Sequence, residues 1–243
     1  MSKERVFALD WIRGAALAGM LAHHTLFTIA EVGAFFGRQI DFPFLNTAAF
    51  WILQVIFVGL FLTVSGICTA FSRNVLRRAL IICGAAGIIT LVTSVILPAL
   101  SISGLEIRFG ILHMIGFSML LYALFSRKER WIPFFTALLL FVLYLLMIRY
   151  AGGAFSDLML AVIGLPRKGF YSADYYPLLP YFLLFLSGAF LGPAVRDHRF
   201  PAFFYSFRIR PFEWMGRHSL WIYLLHQPIL FAVCAVIFKF FVK

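Results

Sequence analysis

Seven stretches of about 20 mostly apolar residues follow one another along the chain, at about 7–30, 45–71, 79–98, 107–125, 131–150, 176–194 and 214–238. A helix crossing the ~30 Å hydrocarbon core of a bilayer needs about 20 such residues. Inside that core every backbone N–H and C=O must find a partner in the protein, which only helices and closed barrels achieve. Barrel strands alternate apolar and polar over about 10 residues; these runs are continuous and longer. The expected fold is therefore an all-α polytopic membrane protein, a bundle of about seven transmembrane helices. Composition excludes the other classes. The chain is 63% hydrophobic and 13% charged, whereas a soluble domain is about 45–50% apolar and roughly 25% charged. Disorder needs low hydrophobicity. Pro98, Pro133, Pro177 and Pro193 fall near span ends, where proline is tolerated. Ala15 with Gly19, and Gly188 with Gly192, mark close-packing faces, and the second pair permits a homodimer. No internal repeat or low-complexity linker divides residues 1–243, so one domain is expected. Asp10 and Arg13 interrupt the first apolar run, which argues against a cleavable signal peptide.

The 21 Lys+Arg outnumber the 10 Asp+Glu, for a net charge of +11. In a membrane protein this excess belongs to cytoplasmic loops, so no nucleic-acid partner is expected. Assigning each cation to the end or loop it lies in or borders gives 13 on the side of the N-terminus and 7 on the other, with Arg13 inside the first span. That bias puts the N-terminus in the cytoplasm and, with seven spans, the C-terminus outside. Cys68, Cys83 and Cys234 lie in apolar runs and form neither a disulfide framework nor a metal spacing.

Orientation gives the polar residues depths. Ionisable groups inside a membrane are costly and usually face the bundle interior or a water-filled cavity. Arg13 and His24 are 11 residues apart, which at 100° per residue puts them within roughly 20° on one helix face and about 16 Å apart along it. Asp10, three residues before Arg13, is placed to pair with it. His23 lies about 100° from His24 and faces elsewhere. His113, in the fourth span, is expected at a depth similar to His24, with Arg108 at the outer mouth. Imidazole titrates near neutrality, so two such rings suit acid/base work. Two ligands are fewer than a metal usually takes, and no carboxylate stands at short spacing to either; no metal is expected. His226, before Gln227 and Pro228, is read as capping a carbonyl freed by the proline. Intramembrane His, Asp and Arg also mark ion paths, so a small transporter or channel is the rival class.

Four stretches carry a resemblance: LDWIRGAALAGMLAHHT (9–25), IRFGILHMIGFSMLL (107–121), DYYPLLPYFLLFLSGAFLG (174–192) and EWMGRHSLWIYLLHQPIL (213–230). The first resembles the opening helix of the transmembrane acyltransferases. Together, over nearly the whole chain, they resemble the heparan-alpha-glucosaminide N-acetyltransferase catalytic-domain family in its short bacterial form. The chain departs from the animal enzyme in having seven expected spans rather than eleven, no large outer domain, and His23–His24 where that enzyme places an asparagine.

The resemblance implies an integral membrane enzyme of the bacterial cytoplasmic membrane. It would carry acetyl from cytoplasmic acetyl-CoA to an extracytoplasmic sugar or glycan amine or hydroxyl, as an acyl-CoA-dependent N- or O-acetyltransferase. It implies His24 as general base or acyl carrier, with His113 and Asp10 as further catalytic candidates. Cytoplasmic cations would hold the phosphorylated head of acetyl-CoA, because arginine's planar fork donates paired bonds to phosphate; Arg13, Arg217, His218 and Arg78 are the candidates. Arg108, Asn46, Asp174 and Tyr175 would face the acceptor, Asn46 having a helix N-cap as its alternative role. A catalytically silent membrane subunit of the same fold is the remaining alternative.

Overall fold

The computed structural model describes residues 5–125 and 154–241. The expected span at 131–150 lies outside the described residues. The described residues are helical, with no strand beyond an isolated bridge between Phe109 and Tyr175. Five helices are long and apolar enough to cross a membrane: Phe7–Phe35, Ala48–Phe71, Val75–Ala99, Leu178–Arg196 and Ser219–Phe240. Their outward side chains are apolar, Leu80, Ile88, Trp221 and Ile229 among them. Such bands are unusual on soluble proteins and are what a lipid solvent requires.

The first helix, α1 (Phe7–Phe35), is longer than expected and unbroken. α2 (Ala48–Ile67) begins after a 3-10 turn at Pro43–Asn46 and ends in another at Cys68–Phe71. α3 (Val75–Leu91) starts at an Asn74 cap, whose Oδ1 accepts from Arg77 N at 2.9 Å. It runs on through a π turn (Val92–Ile96) to Ala99. α4 (Ile111–Phe125) is shorter than the expected 107–125, because residues 107–110 are held out of the helix by bonds to Thr93, Ser172 and Tyr176. α5 (Ala154–Ile163) and α6 (Leu178–Arg196) follow, with a non-helical Leu179 inside α6. The last apolar run divides. α7 (Ala202–Ser206) and α8 (Arg210–Arg217) precede α9 (Ser219–Phe241), with the break at His218.

The chain forms two compact units, residues 1–64 with 197–243, and residues 65–196. In the first, α1 packs on α8 and α9. The α1–α8 contact is backbone against backbone. A Cβ on Gly14 would run into the Phe212 carbonyl, and one on Gly216 into the Asp10 carbonyl. Beyond it, Val32, Cys234 and Phe238 close a core with Ile29 and Phe231. Glu213 is 1% exposed. Arg208 holds it by two bonds of 2.9 and 2.7 Å and lies over the Phe7 ring. Those bonds keep the Glu213 carboxyl below the usual carboxylate range, since they favour its charged form.

In the second unit, α3 packs on α4, and α6 packs on α4 and on the 3-10 turn after α2. The expected small-residue face of α6 is used inside the chain: Gly192 abuts Ile67 and Ala70.

Candidate functional site

The Arg13–His24 stripe survives, because α1 is continuous through both. At the His24 end, α9 returns alongside. Gln227 Nε2 donates to His24 Nδ1 at 2.8 Å, and Thr28 Oγ1 donates to Gln227 Oε1 at 3.2 Å. An amide nitrogen only donates, so His24 Nδ1 is the acceptor and its neutral ring carries the proton on Nε2. The His226 ring lies 5.0 Å from the His24 ring. His226 Nδ1 is 2.6 Å from Tyr223 O. A carbonyl only accepts, so His226 is protonated on Nδ1. This corrects the expected capping role: Pro228 frees the carbonyl of Leu224, whereas His226 bonds that of Tyr223. His23 is stacked on Phe50 at 5.3 Å and also meets the His24 ring edge-on at 5.4 Å, so the expectation that it faces wholly elsewhere is corrected.

At the other end of the stripe, Arg13 Nη1 donates to Gly216 O at 3.4 Å. Arg217 is next in sequence, exposed, its Nε donating to Glu213 O at 3.2 Å. His218 is exposed and bonded through Nδ1 to Trp214 O at 2.9 Å. The three cofactor candidates from these segments are therefore neighbours at the α1–α8 contact. Asp10 takes Arg5 Nε at 2.7 Å, an ion pair the sequence reading did not foresee. Asn46 ends a 3-10 turn, and the cap of α2 is Thr47. The Thr47 hydroxyl accepts from Phe50 N at 3.3 Å and donates to Phe44 O at 2.6 Å. The capping alternative for Asn46 is thus corrected by one residue.

The second unit holds His113, Asp174, Tyr175, Arg108 and Arg78. His113 Nδ1 accepts from Gly110 N at 3.2 Å. Its Nε2 therefore carries the proton and donates to Thr90 Oγ1 at 3.0 Å, and the Thr90 hydroxyl passes on to Ile107 O at 2.8 Å. Both ring nitrogens are engaged in holding residues 107–110 against α3. Asp174 Oδ2 accepts from Ile111 N at 3.0 Å and so caps α4, one of whose first N–H groups would otherwise lack a partner. Tyr175 donates to Ala161 O at 2.6 Å, and burial raises its phenol above the ordinary range. Arg108 is exposed, its backbone N bonded to Ser172. Arg78, exposed near the start of α3, reaches Cys68 O at 3.5 Å.

Thr28, Gln227 and Thr90 escaped the sequence reading. Only Thr28 carried a signal, being four residues after His24 and so on the same helix face. No cluster of three or more metal-ligating side chains occurs among the described residues.

Long apolar helices with ionisable groups on facing stripes define a polytopic helical membrane protein. Residues 5–228 match the family described as heparan-alpha-glucosaminide N-acetyltransferase, catalytic. The chain belongs to that family, and so to a family of acetyltransferases. No curated protein and no solved structure matches it.

Proposed function

We propose that this protein is a single membrane-embedded domain of about seven spans that moves acetyl from cytoplasmic acetyl-CoA to an acceptor outside, an amino sugar or glycan hydroxyl. The observation that carries the reading is the stripe on α1. One face of one helix bears a cation, Arg13, and an imidazole, His24, about 16 Å apart. Acetyl-CoA is built the same way, with a phosphorylated head at one end and a thioester at the far end of a thin arm. Arg13, Arg217 and His218, neighbours at the α1–α8 contact, would take the phosphates. Arg78, in the second unit, is a cytoplasmic-side candidate by its place in the sequence alone. The thioester would then lie near His24, at the reacting centre. Transfer needs no movement of the head group across the bilayer, only an arm that reaches. Arg108 and Tyr175 remain acceptor-side candidates. Asp174 and His113 serve by holding the start of α4, which they bond directly.

Two measurements test this together. Acetyl-CoA, and not ATP, should raise the melting temperature of the purified protein. A ligand confined to the folded state stabilises by about 2.7 kcal/mol at a hundred times its dissociation constant. His24→Ala should keep that shift and lose free-CoA release in the presence of an acceptor by at least about a hundredfold. Absence of a shift at millimolar acetyl-CoA would sink the donor assignment. Wild-type turnover in His24→Ala would remove His24 from the chemistry.

A further inference from the structure

His226 Nε2 is buried and has no hydrogen-bond partner. The residue as a whole is 8% exposed. A buried polar atom without a partner is uncommon and asks for an explanation. The atom's chemistry can be stated. Because Nδ1 donates its proton to Tyr223 O, Nε2 is the unprotonated nitrogen, a basic lone pair. Beside it stands His24 in the opposite tautomer: Gln227 caps Nδ1, leaving Nε2–H as a donor. The two rings are 5.0 Å apart. Each tautomer is fixed from outside the pair, one by an amide that Thr28 orients, the other by a backbone carbonyl.

We infer that His226 is the proton acceptor of this site and His24 its hydrogen-bond donor, with Gln227 and Thr28 as positioning residues. The inference rests on the acetyl-transfer reading and divides the labour within it. As the acceptor's nitrogen or oxygen bonds to the acetyl carbon, His226 Nε2 takes the proton that atom gives up. The carbonyl oxygen, gaining negative charge, receives His24 Nε2–H. The carbon–sulfur bond then breaks, and the departing sulfur takes the proton from His226 to leave as free CoA thiol. The acetylated acceptor and CoA are the only products, and both rings end as they began. The bland account of His226, that it serves only to cap the turn before Pro228, explains Nδ1 and leaves the bare Nε2 unexplained.

Nitrogen NMR of histidine-labelled wild-type protein without substrate reads the tautomers directly. The His24 and His226 signals are identified by their loss in His24→Gln and His226→Asn. The expected pattern is a proton on Nδ1 of His226 and on Nε2 of His24. A proton on Nε2 of His226 overturns the proposal. The same two variants then serve in turnover. Asparagine at 226 retains a side-chain N–H for Tyr223 O and has no basic nitrogen, so CoA release should fall about 10²–10⁴-fold with the acetyl-CoA melting shift kept. Glutamine at 24 replaces Nε2–H with an amide N–H and should retain more activity than His24→Ala. If His226→Asn works within tenfold of wild type, His226 is a turn cap and the proposal falls alone. If the wild type releases no CoA with any amine or hydroxyl acceptor, the acetyl-transfer reading falls and takes this one with it.

Discussion

At the scale of single residues, spacing reveals what one helix holds and hides what a second helix brings. Arg13 and His24 are related by the geometry of α1 alone, so the sequence displays them as a pair. Gln227 becomes the partner of His24 only when α9 returns beside α1, a contact across 203 residues. Nothing in one sequence announces that register. His113 differs: its ring nitrogens bond Gly110 N and Thr90 Oγ1, and an intramembrane histidine looks the same in sequence whether its ring has such partners or not. The Arg13 assignment leads to a measurable loss. Its guanidinium is half-buried and would give a phosphate charge-assisted bonds of about 1.5–3 kcal/mol each. Replacing Arg13 with alanine should therefore weaken acetyl-CoA binding about tenfold or more, read as a displaced titration midpoint. Unchanged affinity would leave Arg13 with its observed task of bonding Gly216 O.

Five of the expected spans stand among the described residues as helices long enough to cross a membrane, with their ends displaced from the expected ones. Hydropathy finds the apolar part of a helix. It does not see that Asn74 starts α3 within a basic stretch, or that His218 breaks the last apolar run into α8 and α9. It also missed the tightest contact, because glycine carries no hydropathy signal for what it touches. At Gly14 and Gly216 two effects compete. Alanine gains up to about 1 kcal/mol of helix propensity over glycine, whereas forcing extra atoms into a filled contact costs about 1–3 kcal/mol. The obstructing atoms are backbone carbonyls of Phe212 and Asp10, which cannot swing aside as side chains do. Overpacking therefore wins. Gly14→Ala and Gly216→Ala should each lower the melting temperature, while Gly84→Ala, with nothing within 4 Å of the added carbon, should not. Equal behaviour of the three variants in a thermal-melt series would show that the α1–α8 contact is looser than its geometry.

For the whole molecule, what remains to be fixed is which way each span points, and the charge count, 13 cations against 7, commits to an answer. α4 is the element on which it turns. Its 15 residues rise about 22 Å, short of the ~30 Å hydrocarbon core. The lead-in, residues 107–110, is non-helical, bent at Arg108 and bridged through Phe109 to Tyr175, and such chain covers at most about 3.3 Å per residue. Three or four such residues can close the gap, and Ile107 N, Arg108 N and Phe109 O bond within the protein to Thr93, Ser172 and Tyr176, as backbone at membrane depth requires. If α4 crosses and the expected span at 131–150 crosses after it, the charge bias puts residue 128 in the cytoplasm and residue 243 outside. A phosphatase that is active only outside should then be silent when inserted at 128 and active when fused after 243, with a fluorescent protein giving the reverse. An active phosphatase at 128 would mean that α4 turns back without crossing, and the helices after it would then point opposite to the charge bias.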